Sequence, residues 1–304
     1  MFTSTAVVFP GQGTQSPGMG VAWRERPEWD AVVGRAEAAL GEPVGRLLID
    51  ADAADLGRTR NAQLAVLLNS LLVWESLKDR VAPLGFAGHS LGQVTALIAA
   101  GVFGFDDGIR FAAIRAERTQ AAADARTGVM AALLGATLEH AEAGCLAAPD
   151  SCWIANDNAP GQVVLAGTPD GLEAGVSAAK DAGVRTARPL AVGGAFHTPL
   201  MQPAADALVA DLAGVVLAPP SAPVVSNDDG SAYSDADGWR DRSARHVAAR
   251  VQWRFVQPTL VGLGATRVLE VGHGGMLAAL AKRTIPEVVF QGVATPADAD
   301  AITS

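Results

Sequence analysis

The chain has 304 residues, 49% hydrophobic and 18% charged, which supplies ample apolar material for a buried core and excludes a disordered polypeptide. Asp and Glu number 32 against 23 Lys and Arg, and the resulting net charge of −9 repels nucleic acid, so none is expected as a partner. The two cysteines, Cys145 and Cys152, are too few for a disulfide framework and fit neither a redox pair nor a zinc site; ordinary buried thiols and no metal are expected.

No stretch reaches the ~18 consecutive apolar residues of a membrane span; the longest candidate, Val94 to Phe105, stops after about a dozen. The N-terminus shows no basic segment and no cleavage pattern, so a cytoplasmic protein with no membrane partner is expected.

In sequence order, Ala6-Val7-Val8-Phe9 is a short apolar run stopped by Pro10-Gly11, the pattern of a buried strand entering a turn. Residues 62–78 have helical periodicity, with Leu64, Leu67, Leu68, Leu71 and Leu72 on one stripe. Pro83 to Ala87 leads through Gly88 into Val94–Ala100, which predicts strand, sharp turn and helix. Val129–Leu134, Cys152–Ala155, Val163–Ala166 and Val184–Leu190 are predicted strands, interleaved with helices over Leu138–Leu146 and Leu172–Asp181. That β-α-β-β-α-β order is the ferredoxin-like arrangement. Further strands are predicted at Pro223–Ser226 and Arg267–Val271. The expected architecture is α/β: a hydrolase-like large domain with a parallel sheet, from residues 1–126 and 192–304, and an inserted ferredoxin-like small subdomain at 127–191.

Gly88-His89-Ser90-Leu91-Gly92 matches the G-x-S-x-G nucleophile elbow. Glycine is needed on both sides of the serine because the strained turn leaves no room for neighbouring side chains. The turn lifts the serine hydroxyl above the sheet and aims the Leu91 N–H at a developing oxyanion. A serine also needs a base. The histidines are His89, His140, His197, His246 and His273. His89 adjoins Ser90, and the elbow points adjacent side chains apart, so a structural place beneath the turn is expected. His140, among Glu139 and Glu142, is expected on a solvated helix stripe. His197 lies in a loop where the small subdomain would rejoin the large domain, but spacing alone does not separate it from His246 and His273. No acidic third member is evident, and a backbone carbonyl could orient the imidazole instead.

At these residues the protein resembles the malonyl-CoA:acyl carrier protein transacylases and the related acyltransferases of polyketide synthesis. Phe9-Pro10-Gly11-Gln12-Gly13-Thr14-Gln15 resembles the family's N-terminal signature, Ala195-Phe196-His197 its histidine motif, the segment from Asn156 to Gly167 its small-domain signature, and Leu269-Glu270-Val271-Gly272 its C-terminal strand and turn. The resemblance implies that Ser90 takes the acyl group from a coenzyme A thioester, a substrate rather than a bound cofactor, and that His197 is the base. It implies an oxyanion hole from the Gln12 and Leu91 N–H groups, a carboxylate clamp at Arg115, an acyl-pocket glutamine at Gln63, and a histidine-orienting backbone carbonyl at Gln252. Malonyl-CoA and an acyl carrier protein are the implied partners, in fatty-acid or polyketide synthesis.

Three departures stand out. Gln93 replaces a usual Glu after the nucleophile motif, His273 replaces a usual Pro, and Gly194 to His197 is closer to the form of malonyl-selective polyketide acyltransferases. Phe196 beside the base would fill the space an α-methyl group needs, favouring malonyl over methylmalonyl. The alternatives are transfer of another acyl group, even between carrier proteins, an editing acyl hydrolase, and a non-catalytic docking subunit. Arg115 argues against an uncharged acyl group, which would leave a desolvated guanidinium unpaired. Carrier proteins are generally acidic, and Arg188, Lys282 and Arg283 are candidates for a basic rim.

Overall fold

The computed structural model describes residues 4–302. Its strands, in sequence order, are β1 (Thr5–Phe9), β2 (Phe86–Gly88), β3 (Val129–Ala136), β4 (Cys152–Ala159) and β5 (Gly161–Gly167). They are followed by β6 (Thr186–Pro189), β7 (Val224–Val225), β8 (Ala232–Tyr233), β9 (Arg267–Val271) and β10 (Val289–Val293).

Side chains on a strand alternate between faces, and β1 is buried at every position, so both of its faces must be covered. Val7 and Phe9 accordingly enter one buried cluster, with Phe86, Val224, Leu269 and Val271, while Ala6 and Val8 enter a second, with Ala87, Val225 and Val268. The sheet they share has the order β10-β9-β1-β2-β7-β8; all pairs are parallel except β7 with β8. The strand expected at Pro223–Ser226 shortens to two residues, because the Ser226 C=O already accepts from Gly230 N–H in a turn.

The helix expected over 62–78 spans Thr59–Leu77, and 16 of its 19 residues are buried, so it is enclosed on all sides rather than along one stripe. It packs against the Leu91–Ala99 and Phe105–Ala125 helices.

The second sheet is wholly antiparallel, in the order β4-β5-β3-β6. The Leu138–Ala147 and Pro169–Asp181 helices pack on it, and the ferredoxin-like pattern read from the sequence is realised. Its other face meets Ala195 and Leu200 beside the His197 loop. Strand β4 is tied to the loop before the Trp253–Gly262 helix: Asp157 N–H donates to the Val251 C=O at 2.8 Å and Val251 N–H to the Ala155 C=O at 2.9 Å. The buried Asp157 carboxylate meets Arg254 at 3.1 Å. Among the described residues, no helix is long and apolar enough to cross a membrane.

Two expectations change. Cys145 and Cys152 are free, but Cys145 is only half-buried, at the margin of the apolar cluster that its helix forms with the second sheet. His140 is not merely solvated: it caps its own helix, accepting from the Thr137 N–H at 3.2 Å through Nδ1.

Candidate active site

Parallel strands deliver their carboxyl ends to one edge of the sheet, where ligands bind in open α/β folds. At that edge β2 ends at Gly88, and Ser90 turns the backbone into the Leu91–Ala99 helix with φ 53° and ψ −110°. This is the left-handed region of φ, disfavoured for a residue other than glycine and typical of a functional turn. The flanking glycines are sterically required. A Cβ on Gly88 would lie 1.9 Å from the Gly92 C=O oxygen, and one on Gly92 would lie 2.1 Å from that of Phe9.

Ser90 Oγ lies 2.7 Å from His197 Nε2. His197 also has a positive φ, 62°, and its N–H donates to the Val247 C=O at 2.8 Å, which aims the ring at the elbow. On its far side Nδ1 lies 3.0 Å from both the His246 and Ala249 carbonyl oxygens. With two acceptors there, Nδ1 carries the proton and Nε2 is free to accept one. Burial, reinforced by the Arg115 charge, pushes the His197 pKa down to about 3, so the imidazole is neutral at neutral pH.

The orienting carbonyl is therefore not that of Gln252, as the resemblance implies. The Gln252 C=O accepts instead from Phe255 and Val256 N–H as the Trp253–Gly262 helix begins, and the Gln252 amide donates to the Asp228 C=O. The loop carrying His246 and Ala249 reaches Nδ1 first.

The other histidines are distinguished by their partners. His89 is buried beneath the elbow, its Nε2 2.8 Å from the Asn158 Oδ1 on β4, with burial lowering its pKa. His273 Nε2 meets Ser16 Oγ at 2.9 Å. The His246 ring packs beside that of His197, centroids 5.2 Å apart, and burial holds it neutral.

Gln12 lies in the loop after β1, next to the elbow: the His89 N–H donates to the Phe9 C=O at 3.0 Å, and Gly11 closes so tightly on His89 that a Cβ there would sit 2.5 Å from the His89 oxygen. The Gln12 N–H meets no acceptor among the described residues. The Leu91 N–H, at the first turn of its helix, is one of the donors that an α-helix leaves unpaired.

Arg115 and Gln63 come together from two helices, Phe105–Ala125 and Thr59–Leu77, with Arg115 Nη1 donating to Gln63 Oε1. Arg115 is 3% exposed, meets no carboxylate among the described residues, and its buried Nε has no partner. Burial lowers its pKa to about 10, which leaves it charged at neutral pH. Gln63 Nε2 also reaches Thr119 Oγ1 at 3.4 Å. Phe196 is half-buried between the main core and the apolar patch under the second sheet. Arg188 on β6, and Lys282 and Arg283 at the end of the Met276–Thr284 helix, lie toward the surface.

One residue escapes the sequence reading. Asn227, fully buried just beyond β7, straps the elbow: its Oδ1 accepts from the Ser90 N–H at 2.8 Å, and its Nδ2 donates to the Gly88 C=O at 2.5 Å and to Gln93 Oε1 at 2.9 Å. The Asn227 N–H also donates to Gln93 Oε1, at 3.0 Å. A buried polar residue two positions after a strand of the parallel sheet is the available signal.

A strained serine, a neutral histidine held by carbonyls, and free N–H groups at a helix N-terminus define a site for acyl transfer through a covalent ester. Comparison with known proteins agrees. Residues 6–259 match the family model described as an acyl transferase domain, and the chain belongs to that family. It is 35% identical to the malonyl CoA-acyl carrier protein transacylase of Salmonella typhimurium, over 97% of both proteins. To that of Bacillus subtilis it is 34% identical, over 91% of this protein and 89% of the relative. An acyl carrier protein S-malonyltransferase from Vibrio cholerae superposes with a TM-score of 0.93 at 34% identity, covering 98% of this protein and 99% of the other. A malonyl-transacylase solved in complex with its type II PKS acyl-carrier protein also gives 0.93, at 33% identity over 98% of each.

Proposed function

We propose that this protein transfers malonyl from malonyl-CoA to the phosphopantetheine thiol of an acyl carrier protein, through a malonyl ester on Ser90. His197 Nε2 takes the Ser90 proton as Oγ attacks the thioester carbonyl. The resulting oxyanion is received by the Gln12 and Leu91 N–H groups, assisted by the partial positive charge of the helix N-terminus. Collapse breaks the C–S bond, and His197 returns its proton to the departing coenzyme A thiolate. In the second half-reaction the carrier thiol gives its proton to His197 Nε2 and attacks the Ser90 ester; Ser90 recovers the proton as it leaves.

The observation that carries the malonyl reading is Arg115. A buried guanidinium without an anion costs several kcal/mol, and the fork of a guanidinium receives a carboxylate bidentately. The free carboxylate of a malonyl group supplies the missing charge, and Gln63 holds the fork in place. Phe196 is proposed to crowd the α-carbon and disfavour methylmalonyl. The names of the relatives support the same donor and acceptor.

The test is incubation with labelled malonyl-CoA, then addition of a holo acyl carrier protein. Label is expected on the protein, lost in Ser90→Ala, and chased onto the carrier. Label released only to water would support a hydrolase, and no label on the unaltered protein would refute the reading.

A further inference from the structure

Beside His246, whose ring packs against that of His197, lies a small chamber of about 10 Å³, room for one water molecule. Four of the seven residues that line it carry a buried polar side-chain atom without a partner: Gln93 Nε2, Trp239 Nε1, Ser243 Oγ and His246 Nε2. Buried polar atoms left unpaired are rare, because each gives up its hydrogen bond to water and gains none in return. Four around one water-sized space match what an internal water needs, namely two to four polar partners in a polar cavity. Donors and acceptors are both available: the Gln93 amide and Trp239 indole donate, the Ser243 hydroxyl does either, and His246 Nε2 accepts or donates according to its tautomer.

We propose that this chamber is a built hydration site, in which one buried water joins Gln93 to His246 and so makes both positioning residues for the dyad, while Ser243 only lines the space. The connections on either side are direct. Gln93 Oε1 fixes Asn227, whose Oδ1 holds the Ser90 N–H at 2.8 Å. His246 supplies one of the carbonyls 3.0 Å from His197 Nδ1, and His197 Nε2 meets Ser90 Oγ at 2.7 Å. With the water in place, a closed ring of hydrogen bonds runs from the backbone of the nucleophile to the carbonyl that orients its base. The amide at position 93 matters here, because an ionised carboxylate could accept from Asn227 but could not donate to the water.

This inference rests on the Ser90–His197 dyad of the proposed function but not on malonyl, so its test avoids a malonyl donor. A crystal structure of the full-length protein at a resolution that shows ordered water should place one water within about 3.2 Å of Gln93 Nε2 and His246 Nε2. A dry or collapsed chamber would overturn the proposal. Function is read from the rate at which a fluorophosphonate modifies Ser90. Ser243→Val, which fills the chamber, should slow maximal modification roughly tenfold with an unchanged half-saturation concentration, as misplacement of a reacting group does. Ser243→Ala, which leaves the room for water, should stay within about twofold. Equal rates in the two variants, both unchanged or both slowed, would overturn the role of the water. Should the valine variant fail to fold, the crystal structure of the unaltered protein still decides.

Discussion

Arg115 donates to the amide oxygen of Gln63 inside the protein, a buried cation held by a neutral partner. A structural ion pair would have used a carboxylate; an amide orients the guanidinium and leaves its charge uncompensated for a ligand. Gln63→Glu should therefore neutralise the clamp from within. The variant is expected to fold at least as stably, with KM for malonyl-CoA raised roughly a hundredfold, since filling a buried charge site removes about 2–5 kcal/mol of pairing. Steady-state kinetics beside a thermal melt check both halves.

The acid limb of the pH profile follows from His197. Its pKa in the free enzyme is about 3, with burial the main cause and the Arg115 charge the next. The base is thus already neutral at about pH 6, and kcat/KM should not fall between roughly pH 8 and 6 on its account. A bound malonyl carboxylate cancels the Arg115 charge and removes one cause of the depression. The acid limb of kcat should therefore lie at higher pH than that of kcat/KM. Coincident limbs in a stopped-flow or initial-rate series would count against a carboxylate at Arg115.

Stability should fall in acid because of three buried neutral imidazoles. His89, His197 and His246 all have pKa values lowered by burial. Below the unfolded value of 6.5 the unfolded polypeptide binds protons that the folded one refuses, so the stability is fully present above that pH and is lost as pH falls toward the folded values. Each histidine contributes a slope of at most about 1.4 kcal/mol per pH unit. Urea midpoints between roughly pH 7 and 5 should decline, and His197→Asn should shed one proton's worth of the slope.

At the elbow, Gly88→Ala and Gly92→Ala should each destabilise by about 3 kcal/mol or more, because the added methyl meets backbone rather than a side chain that can move. Denaturant melts of both variants measure this directly. Asn227→Ala should cost less stability, about 1–3 kcal/mol for the unpaired groups it leaves, but should slow Ser90 acylation more than it changes KM.

These sites differ in how far the sequence reveals them. The elbow is legible because its strain is local: Gly88, Ser90 and Gly92 are close neighbours in sequence and each is dictated by the others. The ferredoxin-like segment is legible for the same reason, in the alternation of short apolar strands with two helices. Arg115 is not, since its buried partner Gln63 comes from a different helix, Thr59–Leu77, more than fifty residues earlier in sequence; only resemblance to a family singles it out. That resemblance assigns the carbonyl holding His197 to Gln252, a few residues too late. Every residue carries a backbone carbonyl, so nothing in the sequence marks which one faces the ring. Asn227 stays hidden because its role depends on β7 lying beside β2, a pairing of strands far apart in sequence. The helix over 62–78 reads as a single leucine stripe because the polar residues among its leucines, Gln63, Asn69 and Ser70, carry no apolar signal although they too are buried.

The most direct test of malonyl transfer through Ser90 is a competition. The protein is mixed with equal malonyl-CoA and acetyl-CoA, quenched in acid, and the peptide containing Ser90 is weighed. Ser90 should carry malonyl almost exclusively, and Arg115→Ala should abolish that preference while leaving acetylation measurable. Equal malonyl and acetyl occupancy on the unaltered protein, or a malonyl preference that survives loss of Arg115, would contradict it.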